Sequence, residues 1–218
     1  MNHNFTLVNL DTDSISICSP DGGHLSLEQR KTLLEEINNI LPEMILMDDD
    51  GYFETVIVLK AKNYILSDGN KIKIKGSALK ASGKGDAEKG LINDFIKTII
   101  DIHDEAERNQ KLLEIYNKYV EEAITIHSIG QMSRWTARKT ISEKIMTSDR
   151  ENEAKVRRAI DGTDYTEGDR VRVFFMPDDS LCLIENFKGE YDRRKLLDKI
   201  YKTVVIFNSI LPVKELFP

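Results

Sequence analysis

Two short runs of residues at the start of the chain are separated by an acidic turn. Residues 5–10 form an apolar run, and residues 15–18 alternate between apolar and polar side chains. Runs of this length are typical of β-strands, whereas Asp and Ser favour turns. The pattern therefore predicts a β-hairpin whose tip carries Asp11 and Asp13.

A helix is predicted directly after this hairpin. Ser26 and Gln29 have the spacing of a capping box, in which each side chain bonds the other residue's backbone N–H. Apolar residues then recur at roughly helical spacing until Pro42, which ends the pattern. We expect this helix to pack on the sheet that carries the aspartates.

A second strand-rich stretch follows an acidic turn at residues 48–51. Residues 52–60 are rich in β-branched side chains and predict a strand. Residues 63–66 and 71–75 predict a hairpin around an Asp-Gly turn. On its second arm three lysines alternate with two isoleucines, so one face is predicted to be cationic and the other apolar.

The rest of the chain is mostly helical in pattern. Residues 86–127 carry apolar stripes of helical spacing, with a break in the charged section 101–110. Residues 170–176 and 181–184 predict a short hairpin, and residues 192–211 predict a last helix with an apolar stripe of Leu196, Ile200, Val204, Phe207 and Leu211. The fold class is therefore α+β: an antiparallel sheet with a packed helix, then a mostly helical region containing a short β-hairpin.

A joint between two domains is predicted at residues 81–85, Ala-Ser-Gly-Lys-Gly, because small and Gly residues make flexible linkers. The domains are accordingly 1–83 and 84–218. At 218 residues the chain is long enough for two domains with buried cores.

Composition narrows the class of protein. Hydrophobic residues make up 40% and charged residues 31%, and no apolar stretch approaches the length of a membrane span or of a signal peptide. The two cysteines, Cys18 and Cys182, lack metal-ligand spacing, and we expect both to be buried thiols in a reducing cytoplasm. The net charge of −6 is unusual for a protein that binds DNA. DNA phosphates, however, contact a local basic surface, which the total charge of the chain does not reveal.

Two groups of charged residues are candidates for chemistry. Asp11 and Asp13, one residue apart on a rigid hairpin tip, can hold a divalent ion, and Mg²⁺ favours one or two carboxylates together with substrate phosphates. Between residues 60 and 84 a lysine-rich surface faces a single acid, Asp68; its members are Lys60, Lys62, Lys71, Lys73, Lys75, Lys80 and Lys84. An acidic turn and a solvated lysine edge are the alternative interpretations.

The string Asp11-Thr12-Asp13-Ser14 resembles motif C of the family-B DNA polymerases, a hairpin of the palm that carries catalytic aspartates. Lys60-Ala61-Lys62-Asn63-Tyr64 resembles the K-x-Y primer-binding motif of that family, and we expect Lys62 and Tyr64, two residues apart, on the same face of a strand. Lys73-Ile74-Lys75-Gly76 resembles the K-G segment that closes the palm before the thumb. The three motifs occur in the family's order, although Asn9 and Leu10 stand where the family usually has Tyr and a small residue.

The resemblance is to the last part of such a polymerase, most like the phage members. It implies that residues 1–83 are the end of the palm, that residues 84–218 are the thumb, and that Asp13 and Asp11 are ligands of two catalytic Mg²⁺ ions. The implied substrates are a dNTP and primer–template DNA, with attack of the primer 3′-hydroxyl on the α-phosphate. The residues expected to contact DNA are Lys60, Lys62, Tyr64, Lys73, Lys75, Lys84, Arg134, Arg138 and Lys139.

Two-metal nucleotidyl transfer needs carboxylates from more than one strand, because the ions lie about 3.5–4 Å apart and share ligands. No segment resembles motif A or the fingers. We therefore expect a chain that is inert as a polymerase without a second chain carrying both, with or without an exonuclease, whether it arose as a split subunit or by truncation. In a phage the site of action would be the host cytoplasm.

Two other classes of protein share some of these features. A non-catalytic module that binds duplex DNA, a remnant of a polymerase, is compatible with two basic zones, the lysine-rich surface of residues 60–84 and a second cationic zone at residues 128–160. A D-x-D glycosyltransferase needs a nucleotide-binding α/β region before its motif, and ten residues before Asp11 leave no room for one.

Overall fold

The computed structural model describes residues 5–11, 13–80 and 83–217. It divides the chain into two compact units, Met1–Gly76 and Ser77–Pro218. Thr12, within the acidic hairpin tip, and Ala81 and Ser82, within the predicted joint, lie outside the described residues. The assignment of palm and thumb to residues 1–83 and 84–218 stays a prediction.

The first unit begins with the predicted acidic hairpin. Strands β1 (Thr6–Asp11) and β2 (Ser14–Cys18) are antiparallel, and Asp11 pairs with Ser14 at the closed end. Helix α1 (Leu27–Ile40) starts with the predicted capping box, in which Ser26 and Gln29 bond each other's backbone N–H groups. None of the residues of α1 is fully buried.

The second sheet of this unit has three antiparallel strands in the order β3 (Thr55–Lys60), β4 (Asn63–Ser67) and β5 (Ile72–Lys75). All five residues of the central strand β4 are buried. The prediction that Lys62 and Tyr64 share one face of a strand is wrong. Lys62 lies in the turn between β3 and β4 with a φ of +61°, because the chain reverses there.

The second unit is mainly helical. It contains α2 (Ser77–Lys80), α3 (Asp86–Asp101), α4 (Glu105–Ile124), α5 (Ile129–Trp135), α6 (Glu143–Thr147) and α7 (Glu151–Ile160). The predicted break between the two long helices is confirmed: α3 ends at Asp101, and Asp104 caps α4 by accepting a hydrogen bond from the Glu107 backbone N–H.

A small antiparallel sheet follows in the order β6 (Arg138–Thr140), β7 (Arg170–Phe175) and β8 (Leu181–Leu183). The hairpin of β7 and β8 matches the prediction, whereas β6 was not predicted. This sheet and the helices α6 and α7 enclose an apolar core of Ile141, Ile145, Val156, Ile160, Val171 and Leu183.

The predicted last helix is shorter than expected. Helix α8 (Arg193–Val204) is capped by Asp192 and is followed by a 3₁₀ turn, Val205–Phe207, and by the short helix α9 (Val213–Leu216). The predicted apolar stripe of this segment is nevertheless buried along its whole length. Phe95 of α3 packs against Phe207 and Phe217, with ring centroids 5.4 and 5.7 Å apart.

The α+β class is therefore confirmed, with small antiparallel sheets in both units. The expectation of two buried thiols is wrong: Cys18 is exposed because it ends an edge strand of a hairpin with little cover, and Cys182 is half-buried. Among the described helices, none combines the length and the apolar character that crossing a membrane requires.

Candidate functional site

The two aspartates predicted as metal ligands lie at the closed end of the β1–β2 hairpin. Asp11 is the last residue of β1 and is half-buried, and Asp13 lies in the turn and is exposed. Ser14, the first residue of β2, pairs with Asp11 across the hairpin. The hairpin therefore presents one carboxylate to solvent and holds the other against the protein.

Tyr64 contacts Asp11 from the second sheet of the unit. Its hydroxyl donates to a carboxylate oxygen of Asp11 at 3.4 Å, across 53 positions of sequence. The ring of Tyr64 is buried in the central strand β4. The contact joins the closed end of the β1–β2 hairpin to the central strand of the three-stranded sheet. It therefore brings the Asp-Thr-Asp-Ser segment next to the K-x-Y segment.

The environment of Tyr64 favours its neutral form. Burial is the largest cause that raises the pKa of Tyr64, and the negative charge of Asp11 raises it further. A hydrogen bond with the Ser14 side chain and the charge of Lys73 act in the opposite direction. The phenol therefore keeps its proton and remains a donor toward the carboxylate.

The K-G segment contacts the K-x-Y segment. Gly76 has a φ of +103°, and a Cβ at this position would lie 2.3 Å from the backbone oxygen of Lys62 and 2.4 Å from Oδ1 of Asn63. Only glycine fits such a close approach. Lys75 pairs with Tyr64 in the sheet register. All three motifs singled out in the sequence thus meet within one unit.

The lysines of this unit differ in their exposure and in whether a carboxylate already pairs with them. Lys60 and Lys62 are exposed at the turn that joins β3 to β4. Lys73 forms an ion pair with Asp50 at 3.0 Å and lies 5.7 Å from the centre of the Phe53 ring. Lys75 is half-buried. Lys60 and Lys62 are therefore the lysines best placed to meet a phosphate backbone.

The hairpin tip fits the chemistry of a magnesium site. Its donors are hard carboxylate oxygens, one of them exposed, and Mg²⁺ takes one or two protein carboxylates with substrate phosphates completing its shell. Among the residues that the structure describes, no group of three or more His, Cys, Asp or Glu side chains could enclose a metal ion. A metal ion held by Asp11 and Asp13 would therefore need further ligands.

The basic residues predicted in the second unit lie on several elements. Arg134 is exposed but forms an ion pair with Glu122 at 3.0 Å. Arg138 and Lys139 are exposed on β6, and Lys84 is half-buried just before α3. The sequence placed Arg134, Arg138 and Lys139 in one cationic zone, residues 128–160, but gave no sign of β6, on which two of them lie.

The pairing of β6 with β7 adds two further arginines to this zone. Arg138 lies opposite Arg172, and Thr140 lies opposite Arg170. One guanidinium nitrogen of Arg172 donates to the backbone oxygens of Ser133 and Thr136, which fixes its position. A rigid two-stranded ribbon therefore carries a group of exposed and partly exposed cations. The alternation of Arg170 and Arg172 along one strand was the sequence signal that could have revealed them.

No family model matches the chain, and no curated protein matches it closely enough to indicate a family.

Proposed function

We propose that this chain is the C-terminal part of a family-B DNA polymerase, the end of the palm followed by the thumb, and that it performs template-directed nucleotidyl transfer together with a second chain. The observation that carries the proposal is the hydrogen bond from Tyr64 to Asp11. These residues belong to two segments of the sequence, each of which resembles a motif of the same polymerase family. Their contact is what a shared site for metal and primer end requires.

In this proposal the two aspartates have different roles. Asp13 is exposed at the hairpin tip and is the main ligand toward metal and substrate. Asp11 is oriented by the buried Tyr64 hydroxyl, so its carboxylate is held in place before substrate arrives. Mg²⁺ bound to these carboxylates would lower the pKa of the primer 3′-hydroxyl and neutralise the leaving pyrophosphate.

The primer end would lie against the exposed turn between β3 and β4. Every correct base pair presents acceptors at N3 or O2 in the minor groove, so a lysine donor can contact them without reading sequence. Lys62 projects from this turn, and Lys60 and Tyr64 flank it in the chain. Cations at this position also bind the phosphate backbone, and the binding should weaken as salt rises.

The exposed apolar surface of the first unit supports the proposal that a partner chain binds there. Of the 33 buried apolar residues in the described part of the chain, four belong to this unit: Leu59, Tyr64, Ile65 and Leu66. By contrast, eleven of the fifteen exposed large apolar side chains belong to it: Leu7, Leu10, Ile15, Ile17, Leu27, Ile40, Met44, Ile45, Leu46, Tyr52 and Ile72. Exposed apolar surface of this extent marks interaction sites. The proposed occupant is the chain that carries motif A and the fingers.

The basic ribbon formed by strands β6 and β7 supports the proposal that the second unit binds duplex DNA. Arg138 and Arg172 lie directly opposite each other, and like charges in that position repel. A phosphate between or beside such side chains relieves the repulsion, and Arg is well suited to phosphate. We propose that the ribbon, with Lys139, Arg134 and Lys84, follows the backbone of the product duplex in the host cytoplasm.

Reconstitution tests the proposal. The chain is mixed with a polymerase chain from the same genome that carries a D-x-x-S-L-Y-P-S-type motif, and nucleotide incorporation on a primed template is measured with and without Mg²⁺. We expect incorporation by the mixture only, with Asp13→Ala abolishing it and leaving the complex intact. Asp48→Ala, which changes an exposed aspartate of another turn, serves as the control and should keep activity.

Two outcomes would reject the proposal. Incorporation by this chain alone would remove the need for a partner, and full activity of the Asp13→Ala complex would remove the assignment of the hairpin. Binding of the isolated chain to a recessed duplex, measured at rising potassium chloride, tests the DNA surface separately. We expect a steep loss of affinity with salt, whereas a flat response would exclude the proposed phosphate contacts.

A further inference from the structure

A cavity of about 270 Å³ lies within the second unit, between the small sheet and helix α8. Its wall combines apolar side chains of β7, β8 and α8, among them Val173, Leu181 and Leu196, with three lysines. Ligand pockets typically measure about 300–1,000 Å³, so this cavity suits a molecule of mononucleotide size or smaller. The proposed polymerase function assigns no ligand to this cavity.

The charge of the cavity wall is positive. Lys139, Lys195 and Lys199 contribute three positive charges, and Asp192 contributes one negative charge, which leaves a net charge of +2 among the lining residues. Lys195 and Lys199 are one helical turn apart on α8, so their side chains lie on the same face of the helix. Lys139 approaches from β6.

The three lysines differ in how far carboxylates already neutralise them. Lys195 forms an ion pair with Asp179 at 3.0 Å. The Lys199 ammonium lies 4.0 Å from the carboxylate of Glu88, which also accepts the Gly85 backbone N–H. Within the described part of the chain, Lys139 has no carboxylate within ion-pair distance. Lys139 is therefore the cation of the wall without a carboxylate partner, and Lys199 has the longer of the two ion pairs.

We propose that this cavity binds a small phosphomonoester. A phosphate monoester carries a charge of about −1.5 to −2 at neutral pH and three acceptor oxygens, which suits a wall that carries three ammonium groups. The side chain of Asn152 supplies a further hydrogen-bonding group, and the apolar wall accommodates an organic part. The proposal does not rest on the polymerase function.

The shape of the site favours a small ligand over duplex DNA. The phosphates of a duplex lie on a convex backbone and reach lysines that protrude from a protein surface, whereas Lys195 and Lys199 line a recess. Lys195 and Lys199 have side chains exposed by 43% and 37%, far less than Lys202 on the outer face of the same helix, which is exposed by 72%. A phosphomonoester small enough to enter the recess can contact several of the lysines at once.

Calorimetric titration of the full chain tests the site, with adenosine 5′-monophosphate, inorganic phosphate and adenosine as probes. We expect the nucleotide to bind, phosphate to bind more weakly and adenosine not to bind. Lys199→Gln should weaken the binding of the nucleotide about tenfold, since it removes a charge-assisted hydrogen bond. Gln keeps a donor for the backbone oxygen of Trp135, which Lys199 contacts at 3.5 Å. Lys139→Gln, on an exposed strand position, provides a second variant with the same expected effect.

Lys202→Gln is the matched control. Lys202 lies on the same helix and pairs with Asp198, so its loss should leave the affinity unchanged. Circular dichroism establishes that each variant is folded. Trp135, the single Trp of the chain, is buried beside the cavity-lining residue Thr136, so its fluorescence gives a second readout of binding.

Three results would overturn the proposal. One is the absence of nucleotide binding up to about millimolar concentration, the weak limit of specific affinity. Another is unchanged affinity in both the Lys199→Gln and the Lys139→Gln chain. The third is displacement of the nucleotide from the Lys139→Gln chain by a blunt duplex with 5′-hydroxyl ends, because it would assign Lys195 and Lys199 to the duplex surface.

Discussion

The hydroxyl of Tyr64 donates a hydrogen bond to the carboxylate of Asp11 at 3.4 Å, although the two residues lie in different sheets of the first unit. Tyr64 is buried in the middle strand of its sheet, and Asp11 closes the neighbouring hairpin. A carboxylate held by a buried donor has a fixed orientation. One carboxylate of the proposed metal site is thus contacted by a residue of the proposed primer-binding motif.

The first prediction concerns the ionisation of this pair. The charge of Asp11 is one cause of the raised pKa of Tyr64, so Asp11→Asn should lower that pKa toward its ordinary value of 10.0. Burial remains in the variant and should keep the pKa above that value. Ultraviolet difference titration of the chain against its Tyr64→Phe variant isolates the signal of Tyr64 from those of the other tyrosines.

The raised pKa of Tyr64 also makes the stability of the folded chain depend on pH. Because the pKa is higher in the folded state than in the unfolded state, the contribution of Tyr64 to folding is fully present below about pH 10 and is lost as pH rises through the folded pKa.

Asp13→Asn, at the exposed tip of the hairpin, is the control for the ultraviolet titration and should leave the titration of Tyr64 nearly unchanged. An unaltered titration in the Asp11→Asn chain would contradict the electrostatic contact.

The second prediction concerns Gly76, where the K-G and K-x-Y segments meet. Gly76→Ala should lower the free energy of unfolding by at least about 2 kcal/mol, because it adds a strained backbone conformation and a clash with the Lys62 backbone. Gly162→Ala is the control: its φ is also positive, but no atom lies within 4 Å of the added Cβ. That variant should lose only about 1 kcal/mol. Urea unfolding of both chains makes the comparison, and equal losses would show that the close approach at Gly76 costs nothing.

Local patterns in the sequence were sufficient for most elements of secondary structure. The capping box before α1, the break between α3 and α4 and the hairpin of β7 and β8 each depend on residues close in sequence. Strand β6 was missed because three residues give no readable alternation, and the strand exists only through pairing with β7 some 30 positions later.

The candidate site was only partly predictable. The hairpin at Asp11 and Asp13 follows from local pattern and is confirmed as a structure. The position of Lys62 was mispredicted, since a positive φ at a lysine is uncommon and a strand with β-branched residues gives no sign of a turn directly after it. The contact between Tyr64 and Asp11 is long-range, and no periodicity can indicate it.

The third prediction concerns Lys62 and the primer end. Lys62→Gly should weaken binding to a recessed primer–template by about tenfold, because it removes a donor to minor-groove acceptors. Stability should change by less than about 1 kcal/mol, since glycine accepts the positive φ of this turn at little cost. Fluorescence anisotropy of labelled DNA measures the effect in the isolated chain.

The control for Lys62 is Lys71→Gln. Lys71 is exposed at the opposite end of the same sheet, just before β5, and lies outside the proposed primer surface. Its substitution should alter affinity only slightly. Equal losses in the two variants would mean that the sheet attracts DNA by general charge and that the turn has no special role.

The fourth prediction concerns the apolar face of the β1–β2 hairpin. Leu10 and Ile15 pair across the hairpin, and they are exposed by 68% and 50%. Replacing both with Thr keeps the β-propensity of the strands and removes most of the apolar area at the closed end. The isolated chain should keep its stability, because exposed substitutions usually change it by less than about 0.5 kcal/mol.

The complex with the second polymerase chain should respond to the same double substitution. Burying two aliphatic side chains contributes about 1.5–3 kcal/mol each, so the double variant should bind the partner at least tenfold more weakly in analytical ultracentrifugation. Ile129→Thr, which alters an apolar residue of the second unit exposed by 46%, is the control and should bind normally. If the double variant assembles as well as the unaltered chain, the hairpin is not the docking surface, and the exposed apolar residues of the segment 40–46 become the place to test.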